Sequence, residues 1–204
     1  MSSLRTPTGP QEPVVAGLLL AAGGGRRLGG RPKALLEHRG GRLVEHAVRT
    51  LREGGCGPVH VVLGAAAERV QVEADLTGCV VVDNPAWEEG MGSSLRVGLA
   101  SLGAADAALV LLVDQPGIGA DAVARVRAAY RSRSSLAAAA YGGRRGHPVL
   151  FGADRWKEVA AGAEGDQGAR AYLRAHADAI TLVECDDVAE PYDIDTPQDL
   201  GHLG

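Results

Sequence analysis

Short apolar runs and helical periodicities take turns along the chain from one end to the other. Runs at residues 14–22, 59–64, 79–83, 107–114, 136–141 and 180–184 are aliphatic or β-branched and bounded by Gly, Asp or Pro, which reads as strands. Between them, residues 43–53, 93–101, 121–131, 154–161 and 168–177 place apolar side chains at helical spacing, and several of these stretches open on Ser or Asp, the usual helix N-caps. That alternation predicts parallel strands joined by crossover helices: an α/β protein with five or six strands in one mostly parallel sheet. Residues 141–151, with Gly142, Gly143, Gly146 and Pro148, predict instead a hairpin or a flap over an active site. The polar, Pro-containing residues 1–13 read as a disordered tail, which leaves residues 14–204 as one domain.

Composition narrows the function classes. The longest clean apolar run, residues 14–22, falls short of the ~20 residues of a membrane span. The chain also starts without the apolar segment of a secretory signal, so a cytoplasmic protein is expected. Cys56, Cys79 and Cys185 form no CxxC or Cys/His cluster, which sets aside a disulfide framework and a structural zinc site. A net charge of -4 with 3% aromatic residues gives nucleic acid neither a broad basic footprint nor a row of stacking side chains. A small anionic ligand needs only a local positive pocket.

Such a pocket is legible directly after the first apolar run, in Leu20-Ala21-Ala22-Gly23-Gly24-Gly25-Arg26-Arg27-Leu28-Gly29-Gly30-Arg31-Pro32-Lys33. Glycines at a strand end let backbone N–H groups close on an anion, while Arg27 adds a forked and Lys33 a point-like positive charge for phosphates. The stretch is neither a GxxxxGK[ST] P-loop nor a GxGxxG turn. A second feature is the apolar run ending in Asp114-Gln115-Pro116. A carboxylate at the carboxyl end of a central parallel strand lies where α/β sheets bind ligands, and a divalent cation on a triphosphate takes one or two such oxygens, so Asp114 is a candidate metal ligand. Asn84-Pro85-Ala86-Trp87-Glu88-Glu89-Gly90-Met91-Gly92-Ser93-Ser94-Leu95 leads into a helix whose N-terminal amides, with the Ser93 and Ser94 hydroxyls, suit an anion.

The glycine segment resembles the LAAGxSxRxGxxK signature of the MobA-like NTP transferase superfamily, most closely its molybdenum cofactor cytidylyltransferase (MocA-type) branch. It departs from that signature twice: Gly25 stands where the family has Ser, and the interval from Arg27 to Lys33 is one residue longer. The resemblance extends through Asn84 to Leu95, through Gly146-His147-Pro148-Val149-Leu150-Phe151 and Gly165-Asp166-Gln167-Gly168-Ala169-Arg170, and through Asp193-Ile194-Asp195-Thr196-Pro197-Gln198-Asp199, in family order. It implies a Rossmann-like, three-layer domain related to the GT-A fold. Residues Leu20 to Gly25, with Arg27 and Lys33, are then the nucleotide-binding loop, and Asp114 and Asp195 hold Mg2+ or Mn2+. Ser93, Ser94, His147 and Arg170 face the second substrate, and Arg144 and Arg145 stand beside His147 to meet its charge. In the family, Ala-Ala-Gly in the loop accompanies CTP and Ala-Gly-Gly accompanies GTP, so Ala21-Ala22-Gly23 implies CTP.

The implied activity is transfer of CMP from CTP to the terminal phosphate of molybdopterin, with Arg27, Lys33 and Asp114 as the catalytic residues. Two alternatives follow from the same resemblance: a related transferase using GTP or another phosphorylated acceptor, and a non-catalytic nucleotide-binding accessory protein that serves a molybdenum hydroxylase or its maturation factor.

Overall fold

Strand β1 (Val15–Leu20) is buried at all six positions, as a strand can be only where helices cover both faces of its sheet. The computed structural model describes residues 12–203. After β1 come β2 (Glu37–His38), β3 (Gly41–Arg42), α1 (Leu43–Glu53), β4 (Val59–Leu63), α2 (Ala67–Glu73), β5 (Val80–Asp83), α3 (Met91–Ser101), β6 (Ala107–Leu112) and α4 (Ala120–Ala128). The second half holds β7 (Leu136–Tyr141), β8 (Arg144–Gly152), α5 (Trp156–Ala161), α6 (Arg170–Ala175) and β9 (Thr181–Glu184). Residues 1–11 of the expected N-terminal tail lie outside the described residues. No helix among the described residues is long and apolar enough to cross a membrane.

Seven strands form one sheet in the order β5-β4-β1-β6-β8-β7-β9. The four at the β5 edge run parallel, whereas β8 is antiparallel to both β6 and β7. Neighbouring residues of one strand serve opposite faces, since side chains alternate across a sheet. Leu19 joins the core under α1 and α4, with Leu51 and Val123, while Leu18 joins the core under α3 and α5, with Leu95 and Val159. Three layers result, and the carboxyl ends of β1 and β6 open on one edge of them.

All six expected strands are present within a residue or two of their ends; of the expected helices, 43–53 has the same bounds, the one at 93–101 begins two residues earlier, and those at 121–131, 154–161 and 168–177 are shorter. Residues 141–151 are not a flap. They form a hairpin whose second arm, β8, is a full member of the sheet, because Val149, Leu150 and Phe151 pair with β6 and are buried. Helix α2 was not expected; a single residue, Val70, anchors it to the core. The expected side-chain caps are also absent from α3 and α4, which start at Gly90 and Gly119, with Ser93 and Asp121 already inside the first turn.

Candidate active site

The glycine segment leaves the carboxyl end of β1 and folds back on itself. Leu28 and Gly30 both donate backbone N–H bonds to the Gly25 carbonyl, at 2.8 and 3.0 Å. Gly25 sits at φ 60°, and a Cβ there would lie 1.9 Å from the Arg31 carbonyl oxygen. The two departures from the family signature therefore have one cause: the longer interval closes over residue 25, and only glycine leaves room for the closure. Gly25→Ser is accordingly expected to destabilise the protein by about 1 to 3 kcal/mol, the range of a residue forced into a rare backbone region. Thermal unfolding checks this; an unchanged melting point would show that the loop tolerates a side chain.

The same fold-back carries Lys33 to the end of β6. Its Nζ donates to Asp114 Oδ2 at 2.6 Å and also to Asp195 Oδ1. Arg27 stands 3.8 Å from the other oxygen of Asp195, with its side chain largely exposed. Asp195 is brought in by the C-terminal segment: Ile194 is fully buried and donates its N–H to the Asp114 carbonyl at 2.9 Å. The turn that follows is fixed by Asp199 Oδ2, which accepts from the N–H groups of Asp195 and Thr196 and from the Thr196 hydroxyl. Burial pushes the Asp114 carboxyl above the usual range, with the Lys33 ammonium pulling the other way. Burial by itself lowers Lys33, but Asp114 and Asp195 outweigh it and the ammonium is held more firmly than usual.

Two carboxylates that share one ammonium nitrogen are a hard-oxygen pair able to hold a single positive centre. Among the described residues no group of three or more His, Cys, Asp or Glu side chains could hold a metal ion. The Asp114 and Asp195 pair alone has the hard-oxygen chemistry of a cation such as Mg2+ or Mn2+, which is held by one or two carboxylates and completes its shell with phosphate oxygens.

Beside this charged cluster lies a cleft of about 600 Å3. Its floor is apolar, with Leu20, Leu95, Val110 and Phe151; its rim carries Arg144, Arg145, His147 and Arg170, with Gln115 and Asp193 toward Asp114. The β7–β8 hairpin supplies Arg144, Arg145 and His147, since Val149 pairs with Val110 and the residues that precede it in the antiparallel strand lie toward the carboxyl end of β6. Burial, with Arg170 and Arg145 alongside, lowers the His147 pKa to about 4, so its imidazole is neutral at neutral pH. The cleft's positive charge comes from its arginines.

The remaining expected residues divide between exposed loop and buried support. Gly23 is exposed, with open space about it. Leu20, Ala21 and Ala22 are buried, and Ala21 N–H bonds to the Val62 carbonyl, so they anchor the loop to the sheet. Ser93 and Ser94 are placed apart from the other residues expected to face the second substrate. Both are buried and both accept from Asn84 Nδ2, while the Ser93 hydroxyl donates to the Ala86 and Gly90 carbonyls at 2.9 Å. Their hydroxyls are committed to holding residues 84–90 and do not line the cleft. Gln115, Asp193, Met91 and Gln167 line it without having been singled out; their one signal was position inside motifs already noted.

A glycine loop at the end of the first strand, a Lys–Asp–Asp cluster at the end of a central strand and a basic cleft beyond it define a nucleotide-transfer scaffold. The chain belongs to the MobA-like NTP transferase domain family, whose pattern matches residues 17–180, and through it to the nucleotidyltransferase superfamily. It is 41% identical to nicotine blue oxidoreductase of Paenarthrobacter nicotinovorans over 94% of this chain and 97% of that one. A probable molybdenum cofactor guanylyltransferase of Opitutus terrae is 40% identical over 52% of this chain and 50% of its own length. Among solved structures, that of Rv0371C from Mycobacterium tuberculosis in complex with manganese superposes with a TM-score of 0.79 at 26% identity, covering 93% of this chain and 97% of that one.

Proposed function

We propose that the protein transfers CMP from CTP to the terminal phosphate of molybdopterin, releasing pyrophosphate, with Mg2+ or Mn2+ bound at Asp114 and Asp195. The observation that carries this reading is Lys33 Nζ gripping both carboxylates at the foot of the glycine loop. A triphosphate on the loop comes within reach of Lys33 and Arg27, and the cleft beyond offers an apolar floor and arginines to a flat, anionic acceptor. The acceptor phosphate is already ionised at neutral pH, so the chain needs no general base: its oxygen bonds to the α-phosphorus as the bond to the β-phosphate oxygen breaks. Loop amides, Lys33 and Arg27 orient the chain of phosphates and offset its charge. A bound divalent cation supplies further charge neutralisation to the triphosphate.

Lys33→Ala is expected to weaken CTP binding by about 1.5 to 3 kcal/mol, the scale of hydrogen bonds to charged groups. Arg27→Ala acts in the same direction and less strongly, because its exposed charge is screened by water. Calorimetric titration checks both, and unchanged affinity in the Lys33 variant would remove the loop cation from the mechanism.

A second reading rests on the full-length relative named nicotine blue oxidoreductase. Here the apolar floor and basic rim hold the substrate of an oxidoreduction. Two assays separate the readings: pyrophosphate release from CTP with molybdopterin, and bleaching of nicotine blue with NADH or NADPH. The transferase reading expects the first signal alone.

A further inference from the structure

We infer that Trp87 is a base-facing platform that contributes to nucleotide recognition, an inference that rests on a nucleoside triphosphate occupying the glycine loop. The chain has two tryptophans, and they are used differently. Trp156 donates its indole N–H to the Phe151 carbonyl at 2.9 Å and packs on the core beneath α3 and α5. Trp87 belongs to neither core and is half-buried. Large rings normally repay their size in the core, so one left outside it and beside an anion loop calls for another use.

Its position is defined by what it crowds. A methyl on Gly64, at the end of β4, would lie 2.4 Å from Trp87 Cβ, and one on Gly24 would lie 3.1 Å from Trp87 Cη2. The indole thus spans from the turn after β4 to the second glycine of the loop. Ala22 meets the same point: its Cβ is 2.9 Å from where the Gly64 methyl would be. Ala22 therefore shares a neighbour with Trp87. Next to them Gly23 is open.

The platform is also rigidly mounted. Asn84 Oδ1 accepts from the Ala86 N–H at 3.1 Å, its amide nitrogen bonds Ser93 and Ser94, and the Ser93 hydroxyl returns to Ala86. Those two hydroxyls serve the nucleotide indirectly, by fixing the turn that presents the indole. A preorganised aromatic surface stacks on a base without a further ordering cost, and every base offers a π-face to it.

The test compares CTP and GTP with inorganic tripolyphosphate, which has the same charge-bearing chain and no base. Trp87→Ala is expected to weaken both nucleotides about tenfold or more while leaving tripolyphosphate within about twofold, and Trp87→Phe to restore most of the loss. In a Trp156→Phe background, Trp87 fluorescence should respond to the nucleotides and not to tripolyphosphate. Equal weakening of all three ligands in the alanine variant, or no weakening of any, overturns the inference, the former by reducing Trp87 to a support for the loop. Wild-type protein that binds tripolyphosphate but neither nucleotide overturns the nucleotide reading itself, and the platform with it.

Discussion

Asp114→Asn is expected to reduce pyrophosphate release by roughly 10²- to 10³-fold or more, the scale on which removal of one preorganised electrostatic partner lowers a rate. Asparagine keeps the shape of the side chain and one acceptor oxygen, so the change is chiefly one of charge. It falls where charge counts most, because Asp114 is largely enclosed at the end of β6 and its Oδ2 is bound directly by Lys33. Loss of the carboxylate leaves Lys33 with a single anionic partner and removes half of the oxygen pair proposed to hold a divalent cation. Asp195→Asn should act in the same direction less severely, since its side chain is 42% exposed against 22% for Asp114. Initial rates at fixed Mg2+ and Mn2+, with thermal unfolding as control, check both variants. Near-wild-type rates in Asp114→Asn would separate this carboxylate from the chemistry.

CTP is expected to exceed GTP by about 10² or more in kcat/KM, the scale of discrimination when a pocket's polar groups would be left unpaired by the wrong base. The part of this selection assigned to the loop has a steric side. Ala22 is buried at the point where β1 and the turn after β4 meet under Trp87, so on the proposed reading its methyl acts through the position of the indole. Ala22→Gly removes that methyl and should narrow the preference by about tenfold without inverting it, since the contacts that read a base's edge lie elsewhere. Steady-state rates with each nucleotide check this. Equal kcat/KM for CTP and GTP in the unmodified protein would show that the loop pattern does not report base choice in this chain.

Most of the sheet could be read from the chain because its strands are continuous apolar runs between Gly, Asp and Pro. Strand β8 was read as one arm of a hairpin and not as a full member of the sheet, for a physical reason. Its first half, Arg144 to His147, is polar because it borders the cleft, and its interior half is short, so glycines and a proline dominated the pattern. Helix α2 exposes nearly all of its surface and leaves too weak a periodicity to notice. The Lys33, Asp114 and Asp195 triad was legible residue by residue, yet its meeting was not: contacts that span 81 and 162 positions in sequence depend on how β1, β6 and the C-terminal segment converge. The partners of Ser93 and Ser94 were not legible because hydroxyls near a helix start suit an anion and a buried amide equally well. Only the path of residues 84–90 shows that Asn84 claims them.

The most direct test of the proposed activity is a single competition reaction containing molybdopterin, divalent cation and all four nucleoside triphosphates at equal concentration, analysed by mass spectrometry for the nucleotide joined to the acceptor and by coupled assay for pyrophosphate. The expected product is the cytidylylated cofactor, formed in step with pyrophosphate and lowered by roughly 10²-fold or more in Asp114→Asn. Release of no pyrophosphate, or a product carrying chiefly guanylate, would contradict it.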